Sequence, residues 1–160
     1  MAVSKTNAMR LLDSKKAEYA MLSYEVSDGK VDGVSVAEKI GKPKEMVFKT
    51  LVTQGASKNI YVFVIPVEAE LDLKKAAKAA GEKKVDMIAV KDIQKLTGYI
   101  RGGCSPIGMK KLYRTFIDSN AEQLDRMIVS GGKIGVQIEL SPEILKKVIH
   151  AEIADLSGQG

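Results

Sequence analysis

Lys49 is the residue of this 160-residue chain whose setting most suggests chemistry. It lies in residues 46–53, M-V-F-K-T-L-V-T, whose β-branched and aromatic content predicts a strand. Residues two apart on a strand share a face. Val47, Lys49 and Leu51 therefore face one way, and Phe48, Thr50 and Val52 the other. If the Val47 face is buried, an ammonium group enters an apolar surface, which is costly unless an anion pairs with it or its proton leaves. A phosphate or a developing oxyanion would be such a partner. A lysine whose head reaches water at a sheet edge would carry no chemistry.

A second candidate is the loop at 98–108, G-Y-I-R-G-G-C-S-P-I-G. Gly102 and Gly103 let backbone approach a ligand closely, and Pro106 stiffens the end of the loop. Amides presented by such a loop can hold an anion or an ester carbonyl oxygen; a plain structural turn is the alternative. Ser130-Gly131-Gly132 poses the same choice at a strand end. Tyr24 could stack on a base or belong to the core rim. Cys104, the single cysteine, could be a nucleophile only with a base beside it. The single histidine, His150, falls near the chain end in what reads as the terminal helix. One Cys and one His leave a zinc site short of ligands at any recognisable spacing. There is no P-loop and no dinucleotide fingerprint. No metal and no cofactor are expected, and no nucleophile–base pair stands out.

These residues need elements to hold them. Thr6 or Asn7 can cap a helix with Ala8, Leu11 and Leu12 on one side. Residues 22–26 read as extended, with a turn at Asp28-Gly29. Ser35 and Glu38 have capping-box spacing, and Gly41 and Pro43 stop the helix they start. Residues 59–66, N-I-Y-V-F-V-I-P, form a second strand after 46–53, with Gly55 and Ser57 in the turn. Asp72 caps an alanine- and lysine-rich helix that ends at Gly81. Beyond it lie an apolar run at 87–90 and a helical turn or two at 92–96. Residues 115–118, 127–130 and 134–140 are further strands, the 98–108 loop has strand-like edges, and Ser141-Pro142 opens a last helix. Helices and strands alternate without a strict βαβ repeat. The expectation is a mixed α/β fold, a curved, barrel-like sheet flanked by helices, in one domain over 1–160.

Composition narrows the partners. Hydrophobic residues make up 45% of the chain, enough for a real core at this length. No apolar run suits a membrane span, and the first residues carry no signal-peptide core. With one cysteine there is no internal disulfide, so a cytoplasmic location is expected. Net charge is +5, but residues 72–114 hold eleven positive and four negative charges, a surplus of seven. Such a stretch can contact phosphates in a salt-dependent way, or be a solvated lysine-rich surface.

The motifs, taken in order, resemble one family. They are Gly41-Lys42-Pro43 leading into V-F-K-T-L-V at 47–52; G-Y-I-R-G-G-C-S-P-I-G at 98–108 with Lys110-Lys111 just beyond; V-S-G-G-K at 129–133; and the segment 7–13 with Tyr24 downstream. Over most of its length, about residues 5–155, the chain resembles the YbaK/EbsC family, relatives of the editing domain inserted in bacterial prolyl-tRNA synthetases. The resemblance implies a barrel-like mixed sheet and an enzyme that deacylates misacylated tRNA. Within the wider family the Gly-Gly-x-Ser-Pro-x-Gly loop with Ser-Gly-Gly is similar to the cysteine-editing branch, whose substrates are Cys-tRNA(Pro) and Cys-tRNA(Cys); relatives that clear alanine or serine read differently there. By position, it implies catalytic roles for Lys49, which would hold the terminal adenosine and its phosphate, and for Gly102. It implies substrate-pocket roles for Tyr24, Phe48, Thr50, Gly103, Ser105, Pro106, Ser130, Gly131 and Gln137. Some members carry an acidic residue where this chain has Gln137, and Gln cannot fix an ammonium by charge.

The resemblance also explains the missing nucleophile. In that branch the thiol of the esterified cysteine attacks its own ester carbonyl and expels the tRNA hydroxyl, leaving the protein to position and to stabilise charge. The implied partners are the acceptor end of aminoacyl-tRNA and, as a delivering enzyme, prolyl-tRNA synthetase; neither a membrane nor a metal is implied. A water-using deacylase for alanine or serine, or a non-catalytic module that binds tRNA or a synthetase, are the rival readings.

Overall fold

The structure is a computed structural model, and residues 5–26, 29 and 32–158 are described. Thr6 caps α1 (Asn7–Ser14), its hydroxyl accepting from the Met9 amide, and Ala8, Met9 and Leu12 are the residues it buries. β1 (Ala20–Ser23) begins two residues earlier than expected. Asp28 of the expected turn lies outside the described residues. α2 (Gly33–Ile40) is capped by Asp32, not by Ser35: the Asp32 carboxylate accepts from the Ser35 amide at 3.1 Å and from its hydroxyl at 2.8 Å. Ser35 thus sits three residues into the motif it was expected to open. Gly41 ends the helix at φ 69°, a left-handed conformation suited to glycine.

A single 3-10 turn (Lys44–Met46) leads into β2 (Phe48–Gly55), which pairs antiparallel with β3 (Ile60–Pro66). A two-residue strand, β4 (Glu70–Leu71), precedes α3 (Leu73–Ala80), capped by Asp72 and ended by Gly81. The run expected at 87–90 divides between β5 (Val85–Met87) and the start of α4 (Val90–Thr97). The 98–108 loop forms turns and bends and no strand. After it come β6 (Arg114–Asp118), β7 (Met127–Lys133), β8 (Val136–Leu140) and α5 (Pro142–Val148), with Ser141 as cap and Pro142 at its start. His150 is past the end of α5, at φ 53°. Two short strands, β9 (Glu152–Ala154) and β10 (Ser157–Gly158), complete the order.

The mixed α/β expectation holds, but the sheet does not close into a barrel. A five-stranded sheet runs β5-β2-β3-β6-β9, a three-stranded one β1-β8-β7, and β10 pairs with β4. Val47, just before β2, and Ile128 of β7 form one isolated parallel bridge between the two larger sheets. The main core lies between α1, β7, β8 and α5, with Phe48, Val64 and Ile117 reaching in from the larger sheet. A second core places the alanines of α3 on Tyr61, Phe63 and Phe116. A third, small one joins Ala37 of α2 to Val47, Val67 and Ile128. No helix among the described residues is long and apolar enough to cross a membrane.

Candidate functional site

Strand β2 is flanked unequally. β3 pairs with it over its length, whereas β5 pairs only with Thr53, Gln54 and Gly55. Between the Val47–Ile128 bridge and Thr53 that edge of β2 has no ladder partner among the described residues, and Phe48, Lys49, Thr50 and Leu51 all border the space beside it. That space is a cavity of about 530 Å³ between β2, the N-terminus of α2, the loop after α4, and strands β7 and β8. Its volume lies in the range of small-ligand sites.

Seven of the residues expected to act line this cavity: Tyr24, Phe48, Lys49, Thr50, Gly102, Ser130 and Gln137. They come from four strands or strand ends and one loop, far apart in sequence. Phe48 is buried in the main core and forms the floor of the strand's inner side. Lys49 is half-buried, and burial lowers the pKa of its ammonium while Glu70 partly offsets the shift. The expected tension, a cation on an apolar surface, is present. The Tyr24 Oη and Thr50 Oγ1 atoms are buried and have no hydrogen-bond partner among the described residues. Buried hydroxyls without partners are rare because each forfeits a hydrogen bond it made in water. Two of them on one cavity call for a ligand or water to complete them.

Gly102 sits at φ 87° in the turn closed by the Gly103 amide donating to the Ile100 carbonyl at 3.0 Å. A β-turn with positive φ at its third residue favours glycine there. The Gly102 and Cys104 amides donate to no carbonyl among the described residues. Both residues line the cavity, and undonated amides in such a loop can serve a negatively charged oxygen. β7 carries a register shift between Ser130 and Lys133, so Ser130 pairs with Gln137 while Gly131 and Gly132 form the bulge. The Ser130 hydroxyl accepts from the Gly132 amide at 3.3 Å.

Gly103, Ser105, Pro106 and Gly131 do not line the cavity. Gly103 packs so tightly on the Lys133–Ile134 backbone that a Cβ would lie 2.9 Å from the Ile134 nitrogen. Ser105 is buried and its hydroxyl accepts from the Ile107 amide. Pro106 lies on another depression, beside Leu11 and His150. The Gly131 carbonyl accepts from Thr6 Oγ1 at 2.6 Å. These four hold the loop and the bulge in shape behind the site. The shared loop motif mixes residues that face the cavity with residues that brace it, and spacing alone does not separate them.

Cys104 does reach the cavity, but as a neutral thiol. Its Sγ donates weakly to Thr97 Oγ1 at 3.9 Å, and burial pushes its pKa up to about 11. His150 belongs to the separate depression, so no Cys–His pair forms. Among the described residues no cluster of three or more His, Cys, Asp or Glu could hold a metal. Two charged lining residues do not stand out in the sequence: Arg101, within the loop motif, and Asp32, whose cap role is hidden by the Ser35–Glu38 spacing.

Comparison with known proteins fits this geometry. Residues 31–148 match the model of the aminoacyl-tRNA editing domain. The chain is 48% identical over 153 residues, 96% of its own length and 93% of the relative's, to EbsC of Enterococcus faecalis, a candidate Cys-tRNA(Pro)/Cys-tRNA(Cys) deacylase. It is 25% identical to a proline–tRNA ligase of Burkholderia thailandensis, covering 99% of this chain but 29% of that enzyme. Its fold superposes with a TM-score of 0.84, at 20% identity and covering 98% of this chain and all of the other, on the crystal structure of a candidate trans-editing enzyme for prolyl tRNA synthetase. This chain belongs to the aminoacyl-tRNA editing domain family.

Proposed function

We propose that the chain is an aminoacyl-tRNA deacylase that clears cysteine from mischarged tRNA(Pro), and from tRNA(Cys), with the substrate thiol as nucleophile. The observation that carries this reading is a cavity supplied with donors but with no activated nucleophile of its own: Lys49, the unpartnered hydroxyls of Tyr24 and Thr50, and the free amides of the Gly102 loop, beside a Cys104 held neutral. The 48% identity to EbsC supports the choice of cysteine.

In this mechanism the terminal adenosine and its phosphate lie against Lys49, and the ester carbonyl points at the Gly102 amide. The cysteine thiolate attacks its own ester carbon. A carbon–sulfur bond forms and the carbon–oxygen bond to the ribose breaks, so the tRNA leaves with its hydroxyl restored. The four-membered thiolactone that results is opened by water to free cysteine. Charge builds on the carbonyl oxygen in the transition state, and preorganised donors there account for the catalysis. The acceptor stem would lie on the basic surface of residues 72–114, and prolyl-tRNA synthetase is the enzyme expected to hand over the tRNA.

A deacylation panel of cysteinyl-, alanyl-, seryl- and prolyl-tRNA tests the reading. Cysteinyl-tRNA should be cleared fastest. Equal clearance of alanyl-tRNA, which has no thiol, would replace the substrate nucleophile by water. No clearance of any, with retained binding, would make the chain a binding module.

A further inference from the structure

The end of an aminoacyl-tRNA carries charges of both signs: phosphodiesters along the backbone and an α-ammonium on the amino acid. The cavity carries both as well. Among the described residues its lining has two cations, Lys49 and Arg101, and one carboxylate, Asp32. The side chain of Gln137 is neutral and cannot meet an ammonium by charge. We propose that Asp32 is the anionic contact for the α-ammonium group of the esterified amino acid, and so a specificity-determining residue for substrates with a free amine.

Three features place it there. As the cap of α2, the Asp32 carboxylate is fixed by the Ser35 amide at 3.1 Å and the Ser35 hydroxyl at 2.8 Å, each oxygen keeping a further lone pair. Gly33 brings the helix start against Val67, where any Cβ would overlap the valine side chain, so the cap is pressed to the cavity wall. Among the described residues the charges inside form no ion pair with one another: Lys39 is the cation that acts on Asp32, and Glu70 the carboxylate that acts on Lys49. The Ser35 hydrogen bonds also hold the Asp32 carboxyl below the usual carboxylate range, so it is ionised when the ammonium arrives. The unpartnered Tyr24 and Thr50 hydroxyls independently mark the same cavity as one that a polar ligand completes.

This rests on the deacylase reading, and the test separates the two. Cysteinyl-tRNA and N-acetyl-cysteinyl-tRNA are compared as substrates of the full chain. The wild type should favour the free amine. Asp32→Asn and Asp32→Ser keep a capping side chain but no charge, so thermal midpoints should hold. KM for cysteinyl-tRNA should rise about tenfold with kcat little changed, as for a lost charge-assisted contact made equally in ground and transition states, and the preference for the free amine should vanish. Asp32→Glu, a poorer cap that keeps the charge, should retain that preference. Wild-type KM and preference in Asp32→Asn would overturn the proposal alone. Loss of preference in Asp32→Glu with its retention in Asp32→Asn would reduce the residue to a cap. A wild type inactive on every aminoacyl-tRNA would overturn the deacylase reading and this one with it.

Discussion

At Lys49 the unfavourable burial of an ammonium is offset in part by Glu70, and a substrate phosphate would offset the rest. Lys49→Ala should therefore lower kcat/KM by roughly a hundredfold or more, the usual loss when a preorganised donor is removed, without unfolding the chain; near-normal turnover in a folded variant would end the assignment. The pH profile carries a second sign. Activity should climb as the substrate thiol ionises around its ordinary pKa of about 8.5, then fall as Lys49 loses its proton. Burial lowers the Lys49 pKa, so the fall begins below the ordinary value of 10.5. Arginine stays charged throughout, and whatever activity Lys49→Arg keeps should show no such fall. At Cys104, a thiol with a pKa of about 11 is a poor nucleophile at neutral pH. Cys104→Ala should keep most of the activity, whereas seryl-tRNA in place of cysteinyl-tRNA should be cleared very slowly. The reverse pair of results would put the sulfur nucleophile on the protein.

Elements decide which of these residues meet. The loop holding Gly102 depends on a positive φ, and its missing Cβ would make only ordinary contact with Ile134 at 3.6 Å. Gly102→Ala should thus strain backbone more than packing, costing about 1–2 kcal/mol of stability in denaturant melts, with a larger fall in turnover because the amide moves. Much of the element plan is readable in the sequence. Asp72 and Ser141 announce their helices because a side-chain oxygen must meet an orphan amide, the first helix offers Thr6 or Asn7 and the structure selects Thr6, and β2 and β3 announce themselves by β-branched runs. The two- and three-residue strands β4, β5, β9 and β10 hold too few residues for alternation to show, and tertiary pairing creates them. Asp32 is masked as a cap because Ser35 and Glu38 have the same spacing signature three residues on. Seven of the expected site residues share the cavity, but loop spacing does not tell Gly102, which faces it, from Ser105, which braces it from behind.

Over the whole molecule, charge is uneven in structure as in sequence. Within 72–114, Lys75, Lys84 and Arg114 form ion pairs with Asp155, Asp86 and Glu152. Arg114 also lies over the Phe116 ring at 5.1 Å, so it is occupied and a poor phosphate contact. Lys91, Lys95 and Lys111 are exposed and form no ion pair among the described residues. Met87, Val90, Ile100 and Leu112 are exposed in the same stretch. Replacing Lys91, Lys95 and Lys111 together by Gln should flatten the dependence of log affinity for tRNA on log salt by roughly two to three in slope. An unchanged slope would mean that these lysines merely keep the surface wet.

The Val47–Ile128 bridge has its own consequence. Lys49 and Thr50 stand on one sheet and Ser130 and Gln137 on another, and among the described residues the β-bridge between those sheets is that single parallel pair. An adenosine ester lying across the cavity would act as a cross-tie between two plates that otherwise meet through side chains. Ligand should then raise the melting midpoint in proportion to the logarithm of its concentration. Amide hydrogen exchange should slow first at Val47 and Ile128, and last in the middle of the five-stranded sheet, where β3 is already clamped from both sides.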